Sequence, residues 1–190
     1  MAHGRLSQAI AEGDGISVLV EVPDAAAALQ AEQGGAEGVV ARGRGAGLRA
    51  HTALPLLAYG PGPDDAAADE ADAVVLIAAE HDVLTGHAER CEELGLEVVV
   101  RVRDDDELER VLEYLDPEIL LLTAELAEDE QEPLDRVLEL LPDVPAGKLA
   151  IAELANASRE DVEALERAGV DAVLGTGDVE ALVGDAVPDV

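Results

Sequence analysis

Eight short, nearly continuous apolar runs, most of them separated by amphipathic helical stretches, constrain what this chain can fold into. They are ISVLVEV (16–22), GVVAR (38–42), LPLLAY (54–59), AVVLIA (73–78), EVVVRV (97–102), ILLLT (119–123), LAIAE (149–153) and AVLG (172–175). Runs without polar alternation belong to strands buried on both faces, as parallel strands under helices are. Helical spacing is clear at 83–94, 104–115, 132–141 and 158–168. In the second of these, Leu108, Val111, Leu112 and Leu115 share one face. Ser158 followed by Asp161 is a capping-box start, and Gly169 is a natural stop. The first half is thinner. Residues 24–33 make one helix, the glycine-rich 43–51 is too short for another, and 64–71 allows only about two turns. Eight such units predict a minimal (β/α)8 TIM barrel, an α/β fold with shortened or missing helices around strands 2 and 3. It is expected to form one domain over residues 1–190, fewer than the roughly 250 typical of the architecture. An open doubly wound sheet is the other arrangement that the alternation allows.

The charge limits function more than fold. Asp and Glu number 43 against 12 Lys and Arg, a formal net charge of -31. Such a charge often accompanies disorder, yet 48% of the residues are hydrophobic and they cluster in regular runs, so a folded chain is expected. Nucleic acid and anionic membranes are excluded as partners, since both require basic patches. No apolar stretch reaches the roughly 18 residues of a membrane helix, and residues 1–15 have no signal-peptide core. A single cysteine, Cys91, allows no internal disulfide and fits a reducing, cytoplasmic setting. Lys148 is the only lysine, and Tyr59 and Tyr114 are the only aromatics. Like charge at this density strains a compact state unless salt screens it. The Debye length falls to about 3 Å at 1 M, so the composition points to an organism with a molar-salt interior.

Glu21 and Glu153 are apolar-flanked carboxylates near the ends of strands 1 and 7. Carboxylates so placed are costly unless partnered, which makes them candidate acid–base residues. The other reading is that they pair with Arg101 or Arg42 as an ion-pair network in the barrel mouth. Gly175, Thr176 and Gly177 precede a short final helix and form a candidate anion site, although Asp178 would repel a phosphate there. Residues 42–49 (RGRGAGLR) hold three of the eleven arginines, suited to an anionic ligand or, by preference, to neutralising nearby carboxylates. No Cys/His spacing suggests a metal site, His81 and His87 fall on different helix faces, and Cys91 reads as a packing residue. No cofactor motif is present. The acidic run 125–132 reads as a solvated face or a docking surface for a basic partner. A missing second helix would leave an apolar patch for a homodimer to cover.

Five segments resemble the indole-3-glycerol-phosphate synthase family: AVVLIAA (73–79), LGLEVVVRV (94–102), DDDEL (104–108), AIAE (150–153) and REDVEALERAGVDAVL (159–174). The last follows the family pattern REDVERLREAGVDAFLVG without a gap. The resemblance is good from about residue 71 to 177 and weak before that. It implies a phosphate-binding (β/α)8 barrel of tryptophan biosynthesis. The implied reaction is metal-free: ring closure with decarboxylation of a carboxyphenylamino-deoxyribulose phosphate. The functional positions carry over unevenly. Glu21 matches the catalytic glutamate of the first strand, but Pro23 stands where the family has a lysine. Tyr59 takes the place of the general-acid lysine of the third strand, and Arg101 that of a glutamate on the fifth. Residues 123–126 (TAEL) lack the sixth strand's asparagine. Glu153 keeps the seventh strand's glutamate without the serine and glycine that follow it, and 175–177 (GTG) resembles the eighth strand's GxS. Arginine is a poor general acid at neutral pH, and Lys148 precedes strand 7, at the end opposite the family's active site. The resemblance therefore implies a relative without the lysines for turnover, binding a small phosphorylated or anionic ligand or a protein partner. The alternative is a working lyase or isomerase that uses Glu21 and Glu153.

Overall fold

The computed structural model describes residues 4–13, 15–78, 80–124, 132–176, 179 and 182. Eight parallel strands close in chain order, and the last pairs back onto the first. They are β1 (Ser17–Glu21), β2 (Gly38–Arg42), β3 (Leu56–Tyr59), β4 (Ala73–Ile77), β5 (Glu97–Val102), β6 (Ile119–Thr123), β7 (Leu149–Leu154) and β8 (Ala172–Gly175). Closure rules out the open doubly wound sheet, and each strand lies within two residues of its apolar run.

Alternation along the strands divides the apolar residues into two cores. Leu19, Val40, Leu57, Val75, Val99, Leu121, Ile151 and Leu174, one from each strand, cluster in the interior. Their sequence neighbours, such as Val18, Val39, Leu56, Val74, Leu120 and Val173, face outward. They pack beneath α2 (Ala25–Gln33), α3 (Pro63–Ala68), α4 (His81–Leu94), α5 (Asp105–Tyr114), α6 (Pro133–Leu140) and α7 (Arg159–Ala168). Both strand faces are therefore dry, which is why the runs read as unbroken. Side chains start several of the helices: Asp24 accepts from the Ala26 and Ala27 N–H groups, and Asp104 from Glu107. Ser158 and Asp161 cap each other reciprocally.

A further helix, α1 (Arg5–Glu12), precedes β1 and was not expected from the sequence. It closes the base of the barrel, with Leu6 and Ile10 joining the interior cluster. Glu97, the first residue of β5, accepts the N–H groups of Leu6 and Ser7 at 2.6 and 2.9 Å. A carboxylate from across the barrel thus serves two of the amide donors that a helix start leaves unpaired.

Between β2 and β3 no α-helix forms, as the glycine-rich segment predicts. A single 3-10 turn (Leu48–His51) replaces it. The turn nevertheless covers the strands. Leu48, Ala41, Leu56 and Ala58 are all buried, and a Cβ added at Gly45 would lie 3.1 Å from that of Ala41. The backbone lies directly against β2 only because position 45 lacks a side chain. The strands at this position are thus covered from within the chain.

Candidate functional site

Inward-facing residues at the carboxyl ends of the strands meet at the barrel mouth. Glu21 ends β1, Arg42 ends β2 and Tyr59 ends β3, while Arg101 lies next to last on β5 and Glu153 on β7. The register sets Arg42 beside Tyr59 and Thr123 beside Glu153. Arg42 is the hub. Its Nε donates to Glu21 at 2.6 Å, and its Nη2 reaches across the opening to Glu153. Its guanidinium carbon lies 4.1 Å from the centre of the Tyr59 ring, close enough for a cation–π contact. The Tyr59 hydroxyl donates to Glu153 at 3.1 Å and accepts from Arg101 at 3.3 Å.

Exposure sets the strength of these contacts. The Glu153 side chain is 12% exposed, that of Glu21 27% and that of Arg42 42%. Burial opposes the charge on Arg42, but the hydrogen bonds to Glu21 and Glu153 outweigh it and hold the guanidinium above its ordinary pKa. Across the four charged groups the formal charge sums to zero, in a chain of net charge -31.

The remaining candidates separate. Thr176 directs its hydroxyl to the Ala155 carbonyl, not into the network around Arg42. Gly175 closes β8, while Gly177 and Asp178 lie outside the described residues. The acidic run lies outside them too, except for Glu132. Lys148 sits before β7, at the base of the barrel, bound to Asp116. The other arginines of segment 42–49 neutralise carboxylates. Arg44 holds Asp69 at 2.8 and 2.9 Å and Asp65 at 2.6 Å, while Arg49 holds Asp72 at 2.8 Å. Hydrogen bonding from Arg44 draws the buried Asp69 carboxyl below the usual range. Cys91 is fully buried in α4, and burial raises its thiol pKa to about 11. Among the described residues no group of three or more His, Cys, Asp or Glu side chains is arranged to hold a metal ion. Nor is any helix among them long and apolar enough to cross a membrane.

Over 106 residues, 55% of its length, the chain is 41% identical to an indole-3-glycerol phosphate synthase of Variovorax paradoxus strain S110. The resemblance seen in the five segments is real. The matched stretch covers 40% of that enzyme's length. No protein-family model matches the chain. Among solved structures, the N-acetylmannosamine-6-phosphate 2-epimerase of Clostridium perfringens superimposes with a TM-score of 0.69 at 14% identity, over 86% of this chain and 87% of that one. Thiamine phosphate pyrophosphorylase of Pyrococcus furiosus gives 0.69 at 16% identity, over 88% and 94%. A mutant tryptophan synthase alpha-subunit from the same hyperthermophile gives 0.69 at 14%, over 90% and 98%. These three likenesses establish the fold alone.

Proposed function

We propose that the barrel mouth binds a small phosphorylated ligand of the indole-glycerol-phosphate type without carrying out the ring closure. The observation behind this reading is that Arg42 holds both Glu21 and Glu153, so neither carboxylate is free to serve as a base. The position of Lys148 at the opposite end adds to it, because the chain's single lysine then cannot serve at the mouth as the general acid of the ring closure. Arg101 supplies a cation to the ligand, and Gly175, Thr176 and Gly177, at the end of β8, are the further candidates for holding its phosphate. Three of the four similar proteins carry a phosphorylated compound in their names, which supports the ligand class.

A second reading, a lyase or isomerase using Glu21 and Glu153, draws on the 3.1 Å bond from the Tyr59 hydroxyl to Glu153, a proton donor beside a carboxylate. Thermal unfolding separates the readings when run with the carboxyphenylamino precursor, indole glycerol phosphate or inorganic phosphate. At 100 times its Kd a ligand adds about 2.7 kcal/mol, or roughly 5–10 °C for a domain of this size. A shift without turnover of the precursor supports binding, turnover supports the lyase, and no shift with any of the three sinks both. The same apparatus tests the salt-rich interior that the charge suggests, while the cytoplasmic setting rests on the single cysteine. The unfolding temperature rises between dilute buffer and multimolar KCl, and an unchanged temperature removes that inference.

A further inference from the structure

Beside the mouth, on the outer flank of β1 and β2, lies a groove of about 540 Å³ that the reading above does not use. It runs between the β1–α2 connection and the segment leading to the 3-10 turn. Its basic lining is Arg42, Arg44 and His51, and its acidic lining is Glu21 and Asp24. The two carboxylates already have donors. Glu21 takes Arg42, and Asp24 takes the Ala26 and Ala27 N–H groups at 2.9 Å each.

The cations keep capacity. A guanidinium carries five N–H donors, and Arg44, whose side chain is 55% exposed, makes three hydrogen bonds with its own. The groove also has a backbone contribution. Leu48 N–H donates to the Gly45 carbonyl at 3.0 Å, closing a turn with Ala46 and Gly47 at its centre. Gly47 has φ 83°, in the left-handed region where a side chain is strained. The N–H groups of Ala46 and Gly47 meet no acceptor among the described residues, and both residues line the groove. Successive free amides in such a turn form an anion-binding concavity. Two other cavities of similar size differ in sign, one lined by Glu132, Glu153 and Asp161, the other by Glu37, Glu163 and Glu166 with Arg159.

We propose that this groove is a second anion site, taking a phosphate dianion on Arg42, Arg44, His51 and the amides of Ala46 and Gly47. The site goes beyond the mouth reading and does not depend on it. Arg42 is the wall they share, so an occupant of the groove competes with Glu21 and Glu153 for its guanidinium.

The test is titration of the whole chain with inorganic phosphate, in KCl at constant ionic strength, followed by backbone amide resonances. Saturable shifts at Ala46 and Gly47 are expected. They weaken at least tenfold in Arg44→Gln and several-fold in His51→Gln, which breaks no ion pair and so keeps the test decisive if the first variant is unstable. Arg159→Gln, on α7 and in a different cavity, leaves them unchanged. A parallel titration with glycerol 3-phosphate distinguishes the source of the dianion: tighter binding than inorganic phosphate indicates the phosphoryl end of a metabolite, equal binding the free ion. Shifts that stay linear, that survive both groove variants, or that are confined to the surroundings of Arg101 overturn the groove while leaving the mouth reading intact. Saturable shifts at Ala46 and Gly47, without any effect of the indole ligands on unfolding, would establish the groove and remove the mouth reading.

Discussion

Replacing Arg42 with methionine removes the hub of the mouth while keeping most of its apolar stem. Two pairs are lost. The one with Glu21, a carboxylate 27% exposed, behaves almost as a surface pair and contributes about 1 kcal/mol. The one with Glu153, 12% exposed, is a charged hydrogen bond largely out of water, worth about 2 kcal/mol, and its loss leaves that carboxylate with the Tyr59 hydroxyl. The sum, about 3 kcal/mol, corresponds to a fall in Tm of roughly 6–12 °C for a domain of this size. Urea unfolding of Arg42→Met, Glu153→Gln and the double variant then isolates the cross-mouth pair, with a coupling energy of about 1.5–2 kcal/mol expected. A variant that melts within 2 °C of the parent, or a coupling below about 0.5 kcal/mol, would show that Arg42 does not bridge the mouth in solution.

Cys91 is expected to resist thiol reagents at pH 8 while the chain is folded and to react fully in denaturant, because burial raises its pKa to about 11. Rapid labelling of the native chain would refute its packing role. Asp69, held low by Arg44, contributes stability that is present above its unfolded pKa of about 3.9 and is lost as pH falls through the lower folded value. Arg44→Gln should therefore be less stable than the parent at pH 7, with the gap closing below about pH 4 in acid titrations followed by circular dichroism. A constant gap down to pH 2 would place the effect elsewhere. Leu6→Ala should cost about 3 kcal/mol in urea unfolding, since Leu6 is fully buried in the base of the barrel. A cost under 1 kcal/mol would show that α1 is not seated there.

The strands were readable from sequence because barrel strands are dry on both faces. Even the four-residue AVLG of β8 stands out against polar flanks. The absent helix after β2 was equally plain in its glycines, but its consequence was not. How closely the backbone at Gly45 approaches Ala41 is a matter of packing that no periodicity records. Helix α1 escaped for a related reason. RLSQAIAE offers only Leu6 and Ile10 at helical spacing, and Gly4 provides no capping side chain. At the mouth, Glu21 and Glu153 drew notice as carboxylates among apolar neighbours, with Arg42 or Arg101 as possible partners. Which arginine took them depended on closure. Arg42 lies 21 residues from Glu21, on the neighbouring strand, but 111 from Glu153, and only closure of β8 onto β1 brings β2 within reach of β7.

The seating of α1 also carries a consequence for the order of assembly. Its first amides depend on a carboxylate 91 residues further along the chain. During synthesis at about 5–20 residues per second, Glu97 emerges roughly 5–20 s after Leu6. Until then the helix lacks its acceptor, and Leu6 has no completed interior to enter. The helix therefore docks only after residues far downstream of it have been made, and the base of the barrel stays open until β5 has been delivered.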